Sequence, residues 1–372
     1  MNTSGDRRPR VVVCGTRFGR VYLAAFRQPD FLFELAGILS RGSAQSQACA
    51  ERYGVPLFTD PDELPADIDI ACVVVSAAIN GGHGTELARA LMARGIHVLQ
   101  EHPLHHDELV GCLRDARKHG VVYQVNTHYT HVAPVRRFLD VAHRLIRRQQ
   151  PVFLDAGCAY QVTYALVDII GKALGRVRPW AFVDVPPLPE GLSQLVPRGT
   201  PFRSLDGVLG GVPVTLRIQN QLHPTDPDNY YHFFHRIALG SEGGNVSLVN
   251  THGPVLWSPR PHMPRDVKAG TEPEDSSAEF LGYPSASVVD QDGTPIWRDI
   301  MSSVWPRAVG HALEELRQAI VSGVDPLRSG QYHLSLCRLV QDVTDRLGPP
   351  EFVRDSEPRP LAAESLLEPS SA

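Results

Sequence analysis

The chain has 372 residues, of which 42% are apolar and 21% are charged. At roughly 150 residues per domain, this length predicts about two domains, each with a hydrophobic core of its own. The formal net charge is −5, and the sequence has no run of basic residues that would follow a nucleic-acid backbone. It also has no stretch of about 20 apolar residues, the length that a membrane helix needs. We therefore expect neither a nucleic acid nor a membrane as a partner.

Two residue counts limit the chemistry further. Lysine and arginine total 36, but only Lys118, Lys172 and Lys268 are lysines, so a reaction that needs a lysine has few candidates. The 6 cysteines are scattered and have no C-x-x-C spacing. That pattern is typical of reduced thiols in a cytoplasmic protein rather than of disulfides or a zinc site. We accordingly expect a cytoplasmic protein.

The first third of the chain alternates short, continuously apolar segments with helical ones. The apolar segments predict strands at 11–14, 35–39, 70–75, 97–100 and 121–125, and the segments between them predict helices at about 20–26, 44–53, 85–93 and 107–119. Buried β-branched strands that alternate with helices are typical of a parallel sheet covered on both faces. We therefore predict an α/β fold that begins with a doubly wound, Rossmann-type domain over residues 1–127.

The pattern changes after Asn126. A helix at about 133–148 leads into segments typical of a second, open and largely antiparallel sheet. We place its strands at 152–158, 181–185, 212–220, 230–239, 246–249 and 255–257, and further helices at 164–174, 306–322 and 331–347. This C-terminal α/β domain is expected to span 128–352 and to serve substrate binding and oligomerisation. Residues 353–372 are expected to form a disordered tail.

A glycine-containing turn between the first strand and its helix favours a dinucleotide site. Gly15-Thr16-Arg17-Phe18-Gly19 stands where backbone N–H groups and a helix start would face a pyrophosphate. The spacing departs from the usual G-x-G-x-x-G, because Arg17 and Arg20 occupy the second and third glycine positions. Alone, the motif equally fits an ordinary tight turn; its place between a strand and a helix favours the cofactor. Ser76, after the third strand, is also expected at the cofactor.

The end of the second strand indicates which dinucleotide binds. Sites that prefer NAD usually place Asp or Glu there to hold the ribose 2′-hydroxyl. This chain has Ser40-Arg41-Gly42-Ser43 instead. A guanidinium flanked by hydroxyls suits a 2′-phosphate, because its planar fork matches phosphate oxygens. We therefore predict NADPH, the alternative being an ordinary exposed loop arginine.

The end of the fourth strand carries a family signature. Gln100-Glu101-His102-Pro103-Leu104-His105 resembles the Glu-Lys-Pro motif of the Gfo/Idh/MocA oxidoreductases, with His102 at the position of their proton-shuttling lysine. Further segments similar to the thiazolinyl imine reductases of that family lie at 16–19, 22–26, 125–129 and 253–258. The resemblance spans about 10–347. It implies a Rossmann domain with Glu101 and His102 beside the cofactor, followed by an open-faced α/β domain.

The sequence departs from the sugar and polyol dehydrogenases of the same broad family. Those enzymes usually carry an Asp and, four residues later, a His near the start of the helix in the second domain. Counted back from Asp168, which fits their next acidic position, those places hold Gln161 and Ala165. Lys172 follows one or two helical turns later; we expect a surface or helix-end role for it, the alternative being that it points into the cleft. The groups associated with alcohol oxidation are therefore missing.

The remaining groups suit imine reduction. Reducing a cyclic C=N needs a hydride at carbon and a proton at nitrogen, and no base to remove a hydroxyl proton. His102 and Tyr129 follow consecutive strands, at the edge where a parallel sheet places its ligands. This position shows only that the two residues could share the cleft; the resemblance implies that one of them donates the proton, directly or through water. Asn126 and Gln161 are expected on the substrate side. The histidines at 102, 105 and 106 are not expected to bind metal, because Pro103 breaks the regular spacing.

The resemblance also implies a substrate and a partner. Thiazolinyl imine reductases convert a thiazoline to a thiazolidine on an intermediate tethered to a carrier domain of a nonribosomal peptide synthetase, as in siderophore biosynthesis. A homodimer is expected by analogy with the family. Two alternatives stay open, namely a non-catalytic dinucleotide sensor and a sugar or cyclitol dehydrogenase of the same fold.

Overall fold

Two β-sheets with helices packed against them make up the protein. The computed structural model describes residues 7–77, 81–184, 186, 189–196, 200–226, 229–289, 293–354 and 358–367. The strands are β1 Arg10–Cys14, β2 Glu34–Leu39, β3 Leu57–Phe58, β4 Ile70–Val73, β5 His97–Glu101, β6 Tyr123–Asn126, β7 Pro151–Ala159, β8 Trp180–Asp184, β9 Phe202–Leu209, β10 Val212–Gln219, β11 Gln221–Leu222, β12 His235–Ser241, β13 Gly244–Leu248, β14 Val255–Pro259, β15 Ser287–Val288 and β16 Glu351–Phe352. The helices are α1 Gly19–Ala25, α2 Ala44–Tyr53, α3 Gly84–Ala93, α4 His106–His119, α5 Ala133–Ile146, α6 Thr163–Leu174, α7 Glu190–Ser193, α8 Arg265–Lys268, α9 Trp297–Asp299, α10 Trp305–Ser322, α11 Pro326–Leu347 and α12 Glu364–Leu367.

The first sheet is the predicted doubly wound one. Its strand order is β3-β2-β1-β4-β5-β6, and every neighbouring pair is parallel. The apolar run Val11–Cys14 is fully buried, as expected for a strand with helices on both faces. Strand β3 was not predicted, because two residues at a sheet edge give no periodic signal. The carboxyl ends of β1, β5 and β6 meet at one edge, and the candidate site lies there.

The second sheet is mixed and largely antiparallel. Its order is β15-β14-β13-β12-β7-β10-β9-β8, and only the central pair β7–β10 is parallel. Helices α5 and α6 pack together beside it, and the buried residues of α6 join its inner face in one apolar core. The prediction of an α/β fold with a second, largely antiparallel sheet is confirmed.

Two predicted segments of the second sheet need correction. The strand placed at 230–239 begins only at His235, because the backbone before it turns away and His232 N donates to the Gln219 side chain at 2.8 Å. Strand β9 was missed, because its exposed charged residues interrupt the alternation of apolar and polar residues that predicts a strand. Of the strand placed at 181–185, the structure describes residues up to 184.

The last two long helices, α10 and α11, pack against helices of the first domain. Helix α10 packs against α1, with Val309 and Leu313 in the same apolar cluster as Tyr22 and Leu23. Helix α11 packs against α4 and α6, so the chain end ties the two sheets together. Of the tail predicted to be disordered, residues 355–357 and 368–372 lie outside the described residues. Its described part holds the four-residue helix α12, whose side chains are all exposed.

Candidate active site

The turn between β1 and α1 is shaped by a glycine that no other residue can replace. Gly15 has φ +94°, and its N–H donates to Leu39 O at 3.0 Å. A Cβ at this position would lie 2.7 Å from Val74 O, so both the backbone conformation and the space require glycine. Thr16 is nearly buried and its carbonyl accepts from the Gln45 side chain, whereas Arg17 is exposed. The turn is thus held close to the next strand, as a dinucleotide site needs.

The segment after β2 presents an available cation. Ser43 is the N-cap of α2, and its hydroxyl accepts from Ser46 N at 3.3 Å. Arg41 is exposed, and no described residue forms a hydrogen bond or ion pair with its guanidinium. The Ser40 hydroxyl is buried and has no hydrogen-bond partner among the described residues. Gly42 follows with φ +76°. Ser76 is exposed at the end of β4, where its carbonyl accepts from Gly84 N.

Glu101 ends β5 as a buried acid without a nearby cation. Its carboxylate accepts a short hydrogen bond from the Tyr22 hydroxyl and one of 3.3 Å from the Asn126 amide. Burial raises the pKa of Glu101 to about 8, and these two hydrogen bonds only partly oppose the rise. At neutral pH the group therefore holds a proton for most of the time.

His102 comes next, at the carboxyl edge of the sheet. Its main-chain N–H donates to Asn126 O at 3.0 Å, and its ring stacks on Tyr164 with centroids 5.2 Å apart. Nε2 lies 3.6 Å from the Glu101 carboxylate, while Nδ1 is buried without a hydrogen-bond partner among the described residues. Burial lowers the pKa of His102 to about 4, so the imidazole is neutral at pH 7. The peptide bond to Pro103 is cis.

Tyr129 lies in a short turn after β6. Asn126 is fully buried, and its side-chain oxygen accepts from His128 N at 3.0 Å. His128 has φ +48°, which is rare for a residue with a side chain. Tyr129 follows in a single 3₁₀ turn and is 8% exposed. Its ring meets that of His235 edge to face at 5.0 Å. His102 and Tyr129, the two proposed donors, thus follow neighbouring parallel strands at the carboxyl edge of the first sheet.

The site contains further histidines that sequence reasoning missed. His128, His235 and His252 are buried, and burial lowers the pKa of each, to about 3, 3 and 4 respectively. Trp305 Nε1 donates to His252 Nε2 at 3.0 Å, and the Trp305 ring also meets His128 at 5.7 Å. The rings of Phe18 and His128 lie 5.3 Å apart. These contacts join the glycine turn to the second domain through neutral rings.

Lys172 has the helix-end position expected from the sequence, but its ammonium is engaged by buried partners. It lies in the last turn of α6, but its ammonium donates to Thr130 Oγ1 at 2.9 Å and lies 3.5 Å from Asp168. Burial raises the pKa of Asp168, but Lys172 and the hydroxyl groups that donate to the carboxylate leave it below its ordinary value. The contact with Thr130 could not be foreseen from the local sequence, because Thr130 lies 42 residues earlier in the chain.

Gln161 and Ala165 stand where the sugar dehydrogenases carry Asp and His. Gln161 lies in the short turn before α6, and Ala165 lies in the first turn of α6. Gln161 Nε2 donates to Tyr230 O at 3.3 Å, and Ala165 is fully buried. Among the described residues, no group of three or more His, Cys, Asp or Glu side chains is arranged to hold a metal ion. No helix in the described part of the chain is both long and apolar enough to cross a membrane.

A Rossmann sheet with a glycine turn and a titratable cluster at its carboxyl edge defines a dinucleotide-dependent oxidoreductase. Comparison with family models agrees. Residues 9–127 match the oxidoreductase family with an NAD-binding Rossmann fold, Gfo/Idh/MocA, and residues 149–258 match the C-terminal domain of Irp3-like thiazolinyl imine reductases. Both matches agree with the family that the sequence motifs indicated, the first over the Rossmann domain and the second over part of the second domain.

Solved structures share the fold at low sequence identity. The 3-ketoreductase KijD10 from Actinomadura kijaniata, in complex with NADP and TDP-benzene, is 17% identical, with a TM-score of 0.61 over 93% of this chain and 99% of that one. The UDP-N-acetylglucosamine 3-dehydrogenase GnnA from Acidithiobacillus ferrooxidans is 16% identical, with a TM-score of 0.60 over 90% and 97%. An oxidoreductase from Agrobacterium radiobacter in complex with NAD⁺ is 12% identical, with a TM-score of 0.61 over 90% and 95%. No curated protein sequence is significantly similar to the chain.

Proposed function

We propose that this protein is an NADPH-dependent reductase that converts a thiazoline C=N to a thiazolidine. The observation that carries the proposal is the match of residues 149–258 to the thiazolinyl imine reductase C-terminal domain. It is supported by the site, where His102 and Tyr129 stand at the sheet edge and Gln161 and Ala165 replace the groups used for alcohol oxidation. Imine reduction requires a proton donor rather than a base, and both residues carry a donor group.

The residues at the sheet edge fit a nicotinamide dinucleotide. When bound, that cofactor supplies the hydride. Gly15 allows the turn to pack directly against the Val74 carbonyl, as the tight first turn of a dinucleotide site requires. Arg41 is exposed and offers its guanidinium to a 2′-phosphate, with Ser43 beside it. This arrangement favours NADPH over NADH, since no carboxylate follows β2 to bind a ribose 2′-hydroxyl.

The proton has a route through two buried side chains. The Glu101 carboxyl group lies 3.6 Å from Nε2 of His102, and in this proposal Glu101 is protonated and the neutral imidazole carries its hydrogen on Nδ1. His102 gives the Nδ1 proton to the imine nitrogen and takes the Glu101 proton at Nε2, so that the imidazole stays neutral throughout. The Tyr129 hydroxyl is the second candidate donor, directly or through a water.

The substrate arrives on a partner in this proposal. A thiazoline built by a nonribosomal peptide synthetase remains tethered by a thioester to a carrier domain, which must approach His102 and Tyr129. We further propose that the protein is a homodimer that pairs through the open face of the second sheet. All six cysteines are buried and free, which fits the cytoplasmic location expected from their spacing.

Turnover of a synthetic thiazoline thioester tests the reaction. NADPH oxidation is followed by absorbance for wild type, His102→Ala and Tyr129→Phe. We expect the variant that removes the true donor to lose 10²–10⁴-fold in kcat, the usual contribution of general acid catalysis. His262→Ala and Tyr283→Phe, at exposed positions, serve as controls.

Three outcomes would contradict parts of the proposal. Near wild-type turnover in both His102→Ala and Tyr129→Phe removes both donors from the mechanism. NADPH binding without turnover of any thiazoline favours the sensor alternative. Oxidation of NADPH with the keto form of a sugar, and none with a thiazoline, favours a dehydrogenase of the same fold.

Cofactor choice is tested at Arg41. We expect Arg41→Ala to weaken NADPH binding 10–100-fold, because a charge-assisted hydrogen bond of about 1.5–3 kcal/mol is lost. Binding of NADH should change little, since it has no 2′-phosphate. Arg52→Ala, exposed at the end of α2, is the matched control. Fluorescence titration of each dinucleotide gives the dissociation constants, and an equal change for both would refute the 2′-phosphate contact.

A further inference from the structure

We propose that the ion pair between the buried Asp168 and the partly exposed Lys172 is a positioning device that holds the turn carrying Tyr129 in its active conformation. The turn is defined here as residues 127–131 and is called the Tyr129 turn. The claim that the pair holds this turn stands on the contacts alone, whereas its effect on catalysis rests on the proposed reductase function.

The two members of the pair bind the two threonines that flank Tyr129. On one side, Thr127 Oγ1 donates a short hydrogen bond to the Asp168 carboxylate. On the other side, Lys172 Nζ donates to Thr130 Oγ1 at 2.9 Å. The threonine hydroxyls lie 3.2 Å apart, and the two charged groups lie 3.5 Å apart. These four side chains close a ring of polar contacts around the base of the turn.

The pair reaches both threonines because of helical spacing. Asp168 and Lys172 are four residues apart on α6 and therefore lie one above the other on the same helix face. Thr127, Thr130 and Asp168 are at most 3% exposed, so water has little access to replace their contacts. The lysine is more accessible, with 32% of its side chain exposed. Its ammonium is engaged by Thr130 and Asp168 and thus differs in role from a proton-shuttling lysine.

The Tyr129 turn needs such a restraint. His128 is held at φ +48° and ψ −60°, an unfavourable backbone conformation for a residue with a side chain. The turn closes with main-chain bonds of 3.0 Å from His131 N to His128 O and 3.2 Å from Val132 N to Tyr129 O. Side-chain contacts from another element must hold this geometry, and α6 supplies them.

A third element fixes the carboxylate without touching the turn. The Tyr332 hydroxyl of α11 donates to Asp168 Oδ1 at 2.8 Å, whereas the turn uses Oδ2. Removing this hydroxyl perturbs Asp168 but leaves both threonine contacts in place. Tyr332→Phe therefore separates a general loss of packing around Asp168 from loss of the restraint on Tyr129.

Amide hydrogen exchange tests the restraint without reference to activity. Thr130→Val keeps the shape of the side chain and removes the acceptor, and Lys172→Met removes the donor. We expect both to speed exchange of the amides of His131 and Val132 at least 10-fold. Thr130→Ser, which retains a hydroxyl, should restore slow exchange. Tyr332→Phe should have a smaller effect, and Lys118→Met, an exposed lysine on α4, none.

Kinetics of thiazoline reduction test the consequence. Thr130→Val should lower kcat about 10-fold and leave the dissociation constant of NADPH unchanged, because the cofactor turn at Gly15 is not part of the ring. Unchanged exchange in Thr130→Val overturns the proposal even if Lys172→Met fails to fold. Faster exchange with unchanged kcat overturns the positioning role. If the wild type reduces no thiazoline, the proposed function fails, and exchange still decides whether the pair holds the turn.

Discussion

Two buried carboxylates, Glu101 and Asp168, accept hydrogen bonds from Asn126 and Thr127 at the end of β6, and their protonation differs. Glu101 receives hydrogen bonds from Tyr22 and Asn126, and its pKa is raised to about 8. Asp168 receives them from Thr127 and Tyr332, and its pKa is lowered. Both acids are largely removed from water and both have hydroxyl donors. The largest difference is the ammonium of Lys172, 3.5 Å from Asp168, with His333 as a second group that lowers the pKa of this acid.

A nearby cation thus decides whether a buried acid is protonated or ionised in the folded protein. Burial penalises the ionised form of both groups, and neutral hydrogen bonds offset only part of that penalty. A nearby positive charge offsets the rest, so Asp168 stays ionised and can hold a lysine and a threonine in place. Glu101 lacks such a neighbour and can keep a proton next to His102. In a chain with three lysines, the position of a single one separates the two roles.

The largest expected effect comes from neutralising each acid in turn at pH 5.5. Asp168→Asn should lower the free energy of unfolding by about 3 kcal/mol, because it breaks a buried pair and leaves Lys172 unmatched. Glu101→Gln should change it by less than about 1 kcal/mol, because the folded protein already holds this group in the neutral form. Urea denaturation gives both values. Asp140→Asn, exposed on α5, is the control and should be neutral.

Equal losses in Asp168→Asn and Glu101→Gln would show that the two carboxylates carry the same charge in the folded protein. That result would remove the basis of the comparison.

The second effect is the pH dependence of the Glu101 contribution. The pKa of this acid is raised by folding, from an ordinary value of 4.5 to about 8. Its stabilising contribution is therefore complete below pH 4.5 and is lost as the pH rises toward 8, because the unfolded chain releases the proton first. Glu101→Gln has no proton to lose. Its free energy of unfolding relative to wild type should rise by about 2 kcal/mol between pH 5.5 and 7.5.

Urea denaturation of wild type and Glu101→Gln at several pH values measures this difference. A difference that stays constant from pH 5.5 to 7.5 would mean that Glu101 is ionised across the whole range. Asp168→Asn provides the opposite case, since a lowered pKa gives no such dependence in this window.

The first sheet could be predicted from the sequence because its strands are continuous apolar runs. Val11–Cys14 and Ile70–Val73 are buried on both faces, and burial on both faces leaves a signal in the sequence itself. The second sheet has one open face, so its pattern is weaker. Strand β9 was missed, and β12 begins at His235 rather than at Tyr230. Polar residues on an open face resemble those of a loop.

The candidate site was predictable only where it follows a strand end. Glu101, His102 and Tyr129 were proposed from the family resemblance, and consecutive parallel strands bring these positions to one edge of the sheet. Lys172 and His252 were not, because their roles depend on Thr130 and Trp305, which lie 42 and 53 residues away in the chain. Such contacts depend on how whole helices and strands pack together, and they leave no pattern in the local sequence.

The smallest effect, and the one nearest to the chemistry, is the pH profile of turnover. In the proposed route, Glu101 must be protonated to replace the proton that His102 gives away. For the wild type, kcat/KM for thiazoline reduction should therefore fall above pH 8, by about 10-fold per pH unit. Glu101→Gln should show a lower plateau and no fall, because it has no titrating proton. His102, with a pKa near 4, should add no limb between pH 6 and 8. A fall above pH 8 that persists in Glu101→Gln would assign it to another group, and Tyr129→Phe then tests the remaining donor.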